Sequence, residues 1–112
     1  MNTKHQQLSK SGNGLTLTIP EKVVQEFDIS TKRFFEWETV RSDIVGKLVQ
    51  SETVVTTRIQ QAKNGRFSVE ILHAYVVKYR LQPTKKGGPK ATCEWDAGTF
   101  TIRIPVKEKK RT

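Results

Sequence analysis

The chain has few of the residues and segments that mark disulfide-rich, membrane-spanning or cysteine-ligated zinc proteins. It contains one cysteine, Cys93, in 112 residues, which excludes an internal disulfide and a zinc cluster built from cysteines. No apolar run approaches the roughly 20 residues of a membrane-spanning helix, and the first ten residues lack the apolar core of a secretory signal. We therefore expect a soluble intracellular protein, in which Cys93 is a plain strand residue beside Trp95.

Acidic residues are also scarce. Lys and Arg number 20, Asp and Glu number 11, and the net charge is +9. The excess is uneven, because residues 1–51 carry +1 and residues 52–112 carry +8. Such a charge on a small intracellular domain most often indicates a polyanionic partner, and nucleic acid is the commonest. The alternative interpretation of the charge alone is a solubility surface or a basic tail at residues 107–112.

No catalytic motif is present in the sequence. His5 and His73 have no carboxylate or cysteine at a metal-ligand spacing, so neither a metal nor another cofactor is expected. The segments 36–38 and 94–96 each place a tryptophan between two acids, which indicates exposed charges around a buried ring rather than an acid–base pair. The sequence predicts a binding protein that is not an enzyme, and a small-molecule ligand is not expected.

One apolar pattern occurs twice. Residues 12–29 and 64–81 share it at a constant offset of 52: an alternation typical of a half-buried strand is followed by apolar residues at helical spacing. Segment 36–38 then recurs as 94–96 at an offset of 58, and the loop 85–90 accounts for the additional residues. We interpret the pattern as an internal duplication, because periodicity does not require a matching tryptophan. The alternative is chance similarity of two amphipathic strand–helix units.

Both halves predict the same order of elements: strand, strand, helix, strand, strand. In the first half we expect strands at 5–10, 15–19, 34–40 and 44–50 and a helix at 20–27. In the second half we expect strands at 52–61, 66–71, 91–96 and 99–106 and a helix at 72–81. A continuous strand over 66–81 competes with that helix, because residues 73–79 are rich in strand-forming side chains. Turns are expected at 11–14 and 63–65, where Asn and Gly tolerate positive φ.

These patterns also predict the core and the domain limits. The residues expected to be mostly buried are Leu15, Leu17, Ile19, Val23, Val24, Phe27 and Ile29, with their counterparts Phe67, Val69, Ile71, Tyr75, Val76, Tyr79 and Leu81. The expected domains are residues 1–51, residues 52–106 and a basic mobile tail at 107–112.

The first half resembles a known family. Residues 10–20, KSGNGLTLTIP, combine a Gly-Asn turn with an alternating strand that ends in Ile-Pro, and a short helix and a β-hairpin follow. This is similar to the swapped-hairpin DNA-binding domain of the SpoVT/AbrB and MazE type. The resemblance covers residues 4–50, whereas residues 54–106 match only its skeleton. The chain departs from the family at residues 30–33, which replace a Gly-Asp pair, at Gln25 and Glu26, where some relatives carry arginine, and at residues 71–72, which replace Ile-Pro.

The resemblance implies a mainly β fold with short helices, an AbrB-like swapped-hairpin barrel in which two small units interleave their hairpins because neither buries its own sheet face. Here both units would lie in one chain as two pseudo-repeats, a pseudo-dimeric monomer. The alternative is a homodimer in which residues 1–50 pair between chains and the second half is an accessory domain. The implied function is that of a cytoplasmic, nucleoid-associated transcriptional regulator that binds double-stranded DNA.

The resemblance also implies which residues contact DNA, namely those at the Gly-Asn turns and the neighbouring strand starts. Carried over by position, they are Lys4, His5, Lys10, Ser11, Asn13 and Thr16 in the first half, and Arg58, Lys63, Asn64 and Arg66 in the second. Lys and Arg neutralise phosphates, whereas Ser and Asn donate to phosphate oxygens or read base edges. Each of these residues has the alternative role of a solvated turn residue. The loop lysines Lys85, Lys86 and Lys90 are expected to make a secondary phosphate contact.

Two further interpretations stay open. An antitoxin of a toxin–antitoxin pair would keep the DNA-binding domain, but antitoxins of this family usually end in an acidic segment, whereas this chain ends in a basic one. An RNA-binding or structural nucleic-acid protein would need exposed aromatic rings for base stacking. The exposure of Phe34, Phe35, Tyr75 and Tyr79 discriminates between RNA binding and a packed core.

Overall fold

The computed structural model describes residues 2–12, 14–81 and 90–106. The strands in this part of the chain are β1 (Asn2–Gln7), β2 (Ser9–Ser11), β3 (Gly14–Thr18), β4 (Phe34–Val40), β5 (Asp43–Val49), β6 (Thr56–Gln61), β7 (Phe67–Glu70), β8 (Lys90–Trp95) and β9 (Phe100–Pro105). The helices are α1 (Glu21–Glu26) and α2 (His73–Lys78). The predicted mainly β fold with short helices is confirmed. Neither helix is long and apolar enough to cross a membrane. Residues Asn13, Lys85 and Lys86 and the predicted tail 107–112 lie outside the described residues.

The strands form one antiparallel sheet in the order β1-β8-β9-β5-β4-β6-β7-β3-β2. The two edge strands, β1 and β2, are successive segments of the chain, joined at Leu8, which is 2% exposed. Because a single bent segment pairs with β8 at one edge and with β3 at the other, the sheet curls into a nearly closed barrel.

Pairing between the strands links the two halves of the chain. The hairpin of β4 and β5 pairs with β6, and the hairpin of β8 and β9 pairs with β1. The remaining contacts between halves are β5 with β9 and β3 with β7. Each hairpin therefore pairs with the first strand of the other half.

The helices form where the sequence predicts them. In α1, Pro20 precedes the helix, where its missing N–H costs nothing, and its carbonyl accepts from the Val24 N–H at 3.1 Å. In α2, the Leu72 carbonyl accepts from the Val76 N–H at 3.3 Å, and Val76 is buried against the core. The strand that competed with α2 does not form, because the helix packs its apolar side onto the barrel and thereby outweighs local strand preference.

The core is close to the predicted one. Leu15, Leu17, Ile19, Val23, Ile29, Val69, Ile71 and Val76 are buried. The other predicted core residues, Val24, Phe27, Phe67, Tyr75, Tyr79 and Leu81, are half-buried and pack against it. Trp37 and Trp95 are buried and the acids beside them are at least partly exposed, as the charge pattern predicts.

The first strand of the second half begins four residues later than predicted. Residues 52–55 do not join β6, which begins at Thr56. The Thr56 hydroxyl donates to the Thr53 carbonyl at 2.9 Å and accepts from the Thr53 N–H at 2.9 Å. These local side-chain bonds close a turn that replaces the expected strand pairing.

Candidate nucleic-acid interface

Two glycine turns, both predicted, form the ends of the candidate interface. Turn 1 joins β2 to β3 and is described at residues 11, 12 and 14, and turn 2 (residues 62–66) joins β6 to β7. Gly12 has a φ of 61° and Gly65 a φ of 89°, values that residues with a side chain rarely adopt. In turn 2 the Asn64 side-chain oxygen accepts from the Arg66 N–H at 2.9 Å. The side-chain oxygen of Asn64 therefore closes turn 2, and Asn64 itself is exposed.

The two turns lie at opposite ends of the β3–β7 pair. These strands are antiparallel, with Thr16 opposite Glu70 and Thr18 opposite Ser68. Turn 1 therefore lies beside the end of β7, and turn 2 beside the end of β3. Because β3 spans four steps of about 3.4 Å, the turns are separated by roughly 14 Å along the strands.

A cleft of about 380 Å³ opens at the turn 2 end, between β1, turn 2 and the junction of β3 with α1. It brings together Lys4, Asn64 and Arg66, which are far apart in the sequence. The Gln6 amide donates to the Thr18 carbonyl and ties β1 to the end of β3. Glu21 also lines the cleft, so its carboxylate opposes part of the positive charge there.

The turn 1 end has a different electrostatic character. The Glu70 carboxylate packs over Gly14, since a Cβ on Gly14 would lie 3.1 Å from Glu70 Oε2. The same position is 3.8 Å from His73 Nδ1. Lys10 is exposed on β2, and Thr16 is half-buried opposite Glu70. A carboxylate therefore lies among the residues predicted to contact DNA at this end.

Three other predicted contact residues lie outside the cleft. His5 is exposed on β1, and its Nδ1 is 3.1 Å from Thr92 Oγ1; strand alternation directs its side chain to the face opposite that of Lys4. The Arg58 guanidinium lies 4.9 Å from the centre of the Phe34 ring and donates to the Thr31 carbonyl at 3.2 Å. Both side chains already make contacts within the protein. Lys63 is exposed in turn 2, next to the cleft.

A second cleft, of about 350 Å³, adjoins the first and shares Lys4 with it. Its lining includes Lys22 of α1 and Trp95 of β8. Lys22 was not predicted as a contact, because in the sequence it is an ordinary exposed helix residue. Only the packing of α1 beside β1 places it near Lys4.

The two tryptophans differ in their hydrogen bonding. Trp37 Nε1 donates to Thr57 Oγ1 at 2.9 Å, and that hydroxyl donates to the Glu70 carbonyl at 2.6 Å. Trp95 is 5% exposed, and its Nε1 has no hydrogen-bond partner among the described residues. An unpartnered buried donor destabilises the folded state.

The rings that RNA stacking would require are not free. Phe34 and Phe35 are buried, and Tyr75 and Tyr79 are half-buried with their ring centres 6.3 Å apart. Their packing disfavours a base-stacking platform. In the described part of the chain, no group of three or more His, Cys, Asp or Glu side chains is arranged to hold a metal ion.

Much of the net charge belongs to residues that the structure does not describe. Residues 82–89 and 107–112 together contain six Lys or Arg and one acid, which leaves +4 of the total of +9 for the rest of the chain. Some barrel cations are also paired, as in the contact of Arg103 with Asp43 at 2.9 Å and that of Lys47 with Glu38 at 3.7 Å. The candidate interface therefore depends on a few placed cations rather than on bulk charge.

Comparisons of the chain with protein-family models, with curated proteins and with solved structures gave no match.

Proposed function

We propose that the protein is a single-chain, AbrB-like swapped-hairpin barrel that binds double-stranded DNA and acts as a transcriptional regulator. The observation that carries the proposal is the convergence of Lys4 from β1 and Arg66 from turn 2 on one cleft beside a glycine turn. Such a site offers two cations to a phosphate backbone.

The strand pairing supports the duplication on which this architecture depends. Leu17 and Val69, which are related by the sequence offset of 52, lie opposite each other at the centre of the β3–β7 pair. Each hairpin pairs with the first strand of the other half. Two interleaved units in one chain account for both features, and the proposed active form is a pseudo-dimeric monomer.

The surface between the turns also supports DNA as the partner. Thr18, Ser68 and Gln60 lie opposite one another across β3, β7 and β6, so they share one face of the sheet. These side chains are partly or fully exposed, and their hydroxyl and amide groups can donate to phosphate oxygens. The separation of the turns, roughly 14 Å, is comparable with the width of the major groove, about 12 Å.

A second candidate function is nonspecific polyanion binding by the basic segments 82–89 and 107–112. The charge distribution favours it, since residues 82–89 and 107–112 carry more than half of the net charge. In that case the cleft residues would make no contribution to affinity.

Fluorescence anisotropy with labelled duplex DNA and with single-stranded RNA of equal length distinguishes these functions. At about 0.15 M salt, where screening leaves only close contacts effective, the duplex is expected to bind more tightly. The log–log slope of affinity against salt is expected to be roughly −4 to −7, for about five to eight phosphate contacts. Arg66→Ala should weaken binding to all sequences and make the slope shallower by about one unit.

Two controls make the result specific. Lys32→Ala removes the same charge from an exposed position outside the cleft and should have a smaller effect than Arg66→Ala. A variant with alanine at 109, 110 and 111 measures the contribution of the basic end. If this variant abolishes binding while Arg66→Ala has no effect, or if RNA binds as tightly as the duplex, the proposal is wrong.

A further inference from the structure

We infer that the two ends of the interface are unequal, and that Lys4 makes the turn 2 end the dominant DNA-contacting end. This inference rests on the proposed function and deepens it, because it assigns the contact to one end of a barrel whose strand pairing is otherwise two-fold.

Lys4 and Thr57 occupy corresponding places beside the two tryptophans. Thr57 of β6 lies opposite Phe35, two residues before Trp37, and Lys4 of β1 lies opposite Cys93, two residues before Trp95. The Thr57 hydroxyl satisfies the indole N–H of Trp37. Lysine has no acceptor to offer. Consistent with this, the Trp95 N–H has no partner among the described residues.

Lys4 thus places a cation at a position where a threonine hydroxyl would accept a hydrogen bond from the buried Trp95 N–H. Its side chain lines both clefts, with Arg66 in one and Lys22 in the other. Two adjoining clefts therefore contain three cations, from β1, turn 2 and α1, and one carboxylate, that of Glu21. Compared with Thr57, Lys4 makes no hydrogen bond to the neighbouring tryptophan, but it adds a positive charge close to other cations. A residue with these two properties serves an anionic ligand rather than stability.

The corresponding place at the other end carries the opposite charge. Gly14 and Arg66 are related by the offset of 52, and each immediately precedes the first residue of the apolar strand pattern. The Glu70 carboxylate packs over Gly14, and a Cβ there would lie 3.1 Å from Glu70 Oε2. The counterpart of Lys4 is thus Thr57, which carries a hydroxyl. The counterpart of Arg66 is Gly14, which the Glu70 carboxylate covers. At the turn 2 end Lys4, Arg66 and Lys22 outnumber the Glu21 carboxylate, so a phosphate would be attracted there. At the turn 1 end the Glu70 carboxylate opposes the attraction by Lys10.

The test compares matched charge removals at the two ends in the full-length protein. Lys4→Ala should weaken duplex binding at least about threefold more than Lys10→Ala and make the salt slope about one unit shallower. Glu70→Gln should strengthen duplex binding, since it removes the carboxylate from the weaker end.

Lys4→Thr separates binding from folding. It should weaken duplex binding as much as Lys4→Ala, yet raise the Tm above that of Lys4→Ala, because the new hydroxyl can accept from Trp95 as Thr57 does from Trp37. A Tm for Lys4→Thr no higher than that for Lys4→Ala would overturn the assignment of Lys4 as the replacement of a structural threonine.

The outcomes distinguish this inference from the proposed function. Absence of duplex binding by the unaltered protein contradicts the proposed function. Duplex binding that Lys4→Ala and Lys10→Ala weaken equally leaves the proposed function standing and overturns the one-sided interface.

Discussion

Leu17 and Val69 lie directly opposite each other on β3 and β7, and both side chains are fully buried. On one side of this pair Thr16 faces Glu70, and on the other Thr18 faces Ser68. A two-fold rotation through the pair therefore exchanges the two strands in direction and in register. Leu17 and Val69 are also the residues that the offset of 52 relates in the sequence. The centre of the strand pair therefore coincides with one pair of residues from the repeated pattern.

Truncation at this pair is expected to destabilise the whole barrel. Leu17→Ala should lower the free energy of unfolding by about 2–5 kcal/mol, because it removes buried methyl groups and leaves a cavity. Chemical denaturation measures the loss. Val54→Ala is the control, since Val54 is 93% exposed and its truncation should change stability by less than about 0.5 kcal/mol. A loss below about 1 kcal/mol for Leu17→Ala would contradict the central position of the pair.

A side chain at Gly46 is expected to displace a tryptophan. Gly46 lies opposite Trp37, and a Cβ built there would be 2.5 Å from Trp37 Cζ3. Gly46→Ala should therefore lower the free energy of unfolding by about 1–3 kcal/mol and change the tryptophan fluorescence. The matched control is Gly98→Ala, because nothing lies within 4 Å of a Cβ there. Equal stability of the two variants would contradict the close packing of Trp37 on β5.

Removal of the Thr57 hydroxyl is expected to leave a buried donor unpaired. Thr57→Val keeps the shape of the side chain but breaks the bonds to Trp37 Nε1 and the Glu70 carbonyl. The expected loss in unfolding free energy is about 1–3 kcal/mol. Thr39→Val, at an exposed position of β4, makes the same chemical change without a buried partner and should be close to neutral. If Thr57→Val leaves the free energy of unfolding unchanged, the two hydrogen bonds of the Thr57 hydroxyl contribute nothing to stability.

Cys93 is expected to be unreactive in the folded protein. Burial raises the pKa of its thiol from 9.0 to about 12, against a smaller lowering by Lys4, and the thiolate is the reactive form. Thiol labelling at pH 8 should therefore proceed only as fast as the protein opens. Rapid labelling without unfolding would contradict the burial of Cys93.

The same pKa shift predicts a pH dependence of stability. The folded state favours the neutral thiol, whereas the thiol of the unfolded chain ionises near pH 9.0. The stabilising effect is therefore complete below that pH and is lost as the pH rises from 9 towards 12. The difference in unfolding free energy between the unaltered protein and Cys93→Ala should fall across this range. A constant difference would contradict the prediction.

Local patterns predicted several elements well. The alternation of Leu15 and Leu17 predicted β3, and the aromatic segment 34–40 predicted β4 with the limits found in the structure. Both signals are properties of a few consecutive residues, which is why they were visible without the fold. The strand predicted at residues 52–55 failed because the hydroxyl of Thr56 closes a turn there, and strand propensity alone does not detect such competition.

The sequence by itself determined a mainly β fold with short helices, the two glycine turns and the apolar face of each strand, because side-chain periodicity and the freedom of glycine at positive φ are local properties. Only the tertiary structure decided which predicted contacts lie together. Lys4 lines one cleft with Arg66 because the chain bends at Leu8 and β1 pairs with β8, while Arg58 packs on Phe34 and Glu70 covers Gly14. These relationships depend on the register between strands distant in the chain, which no short stretch of residues specifies.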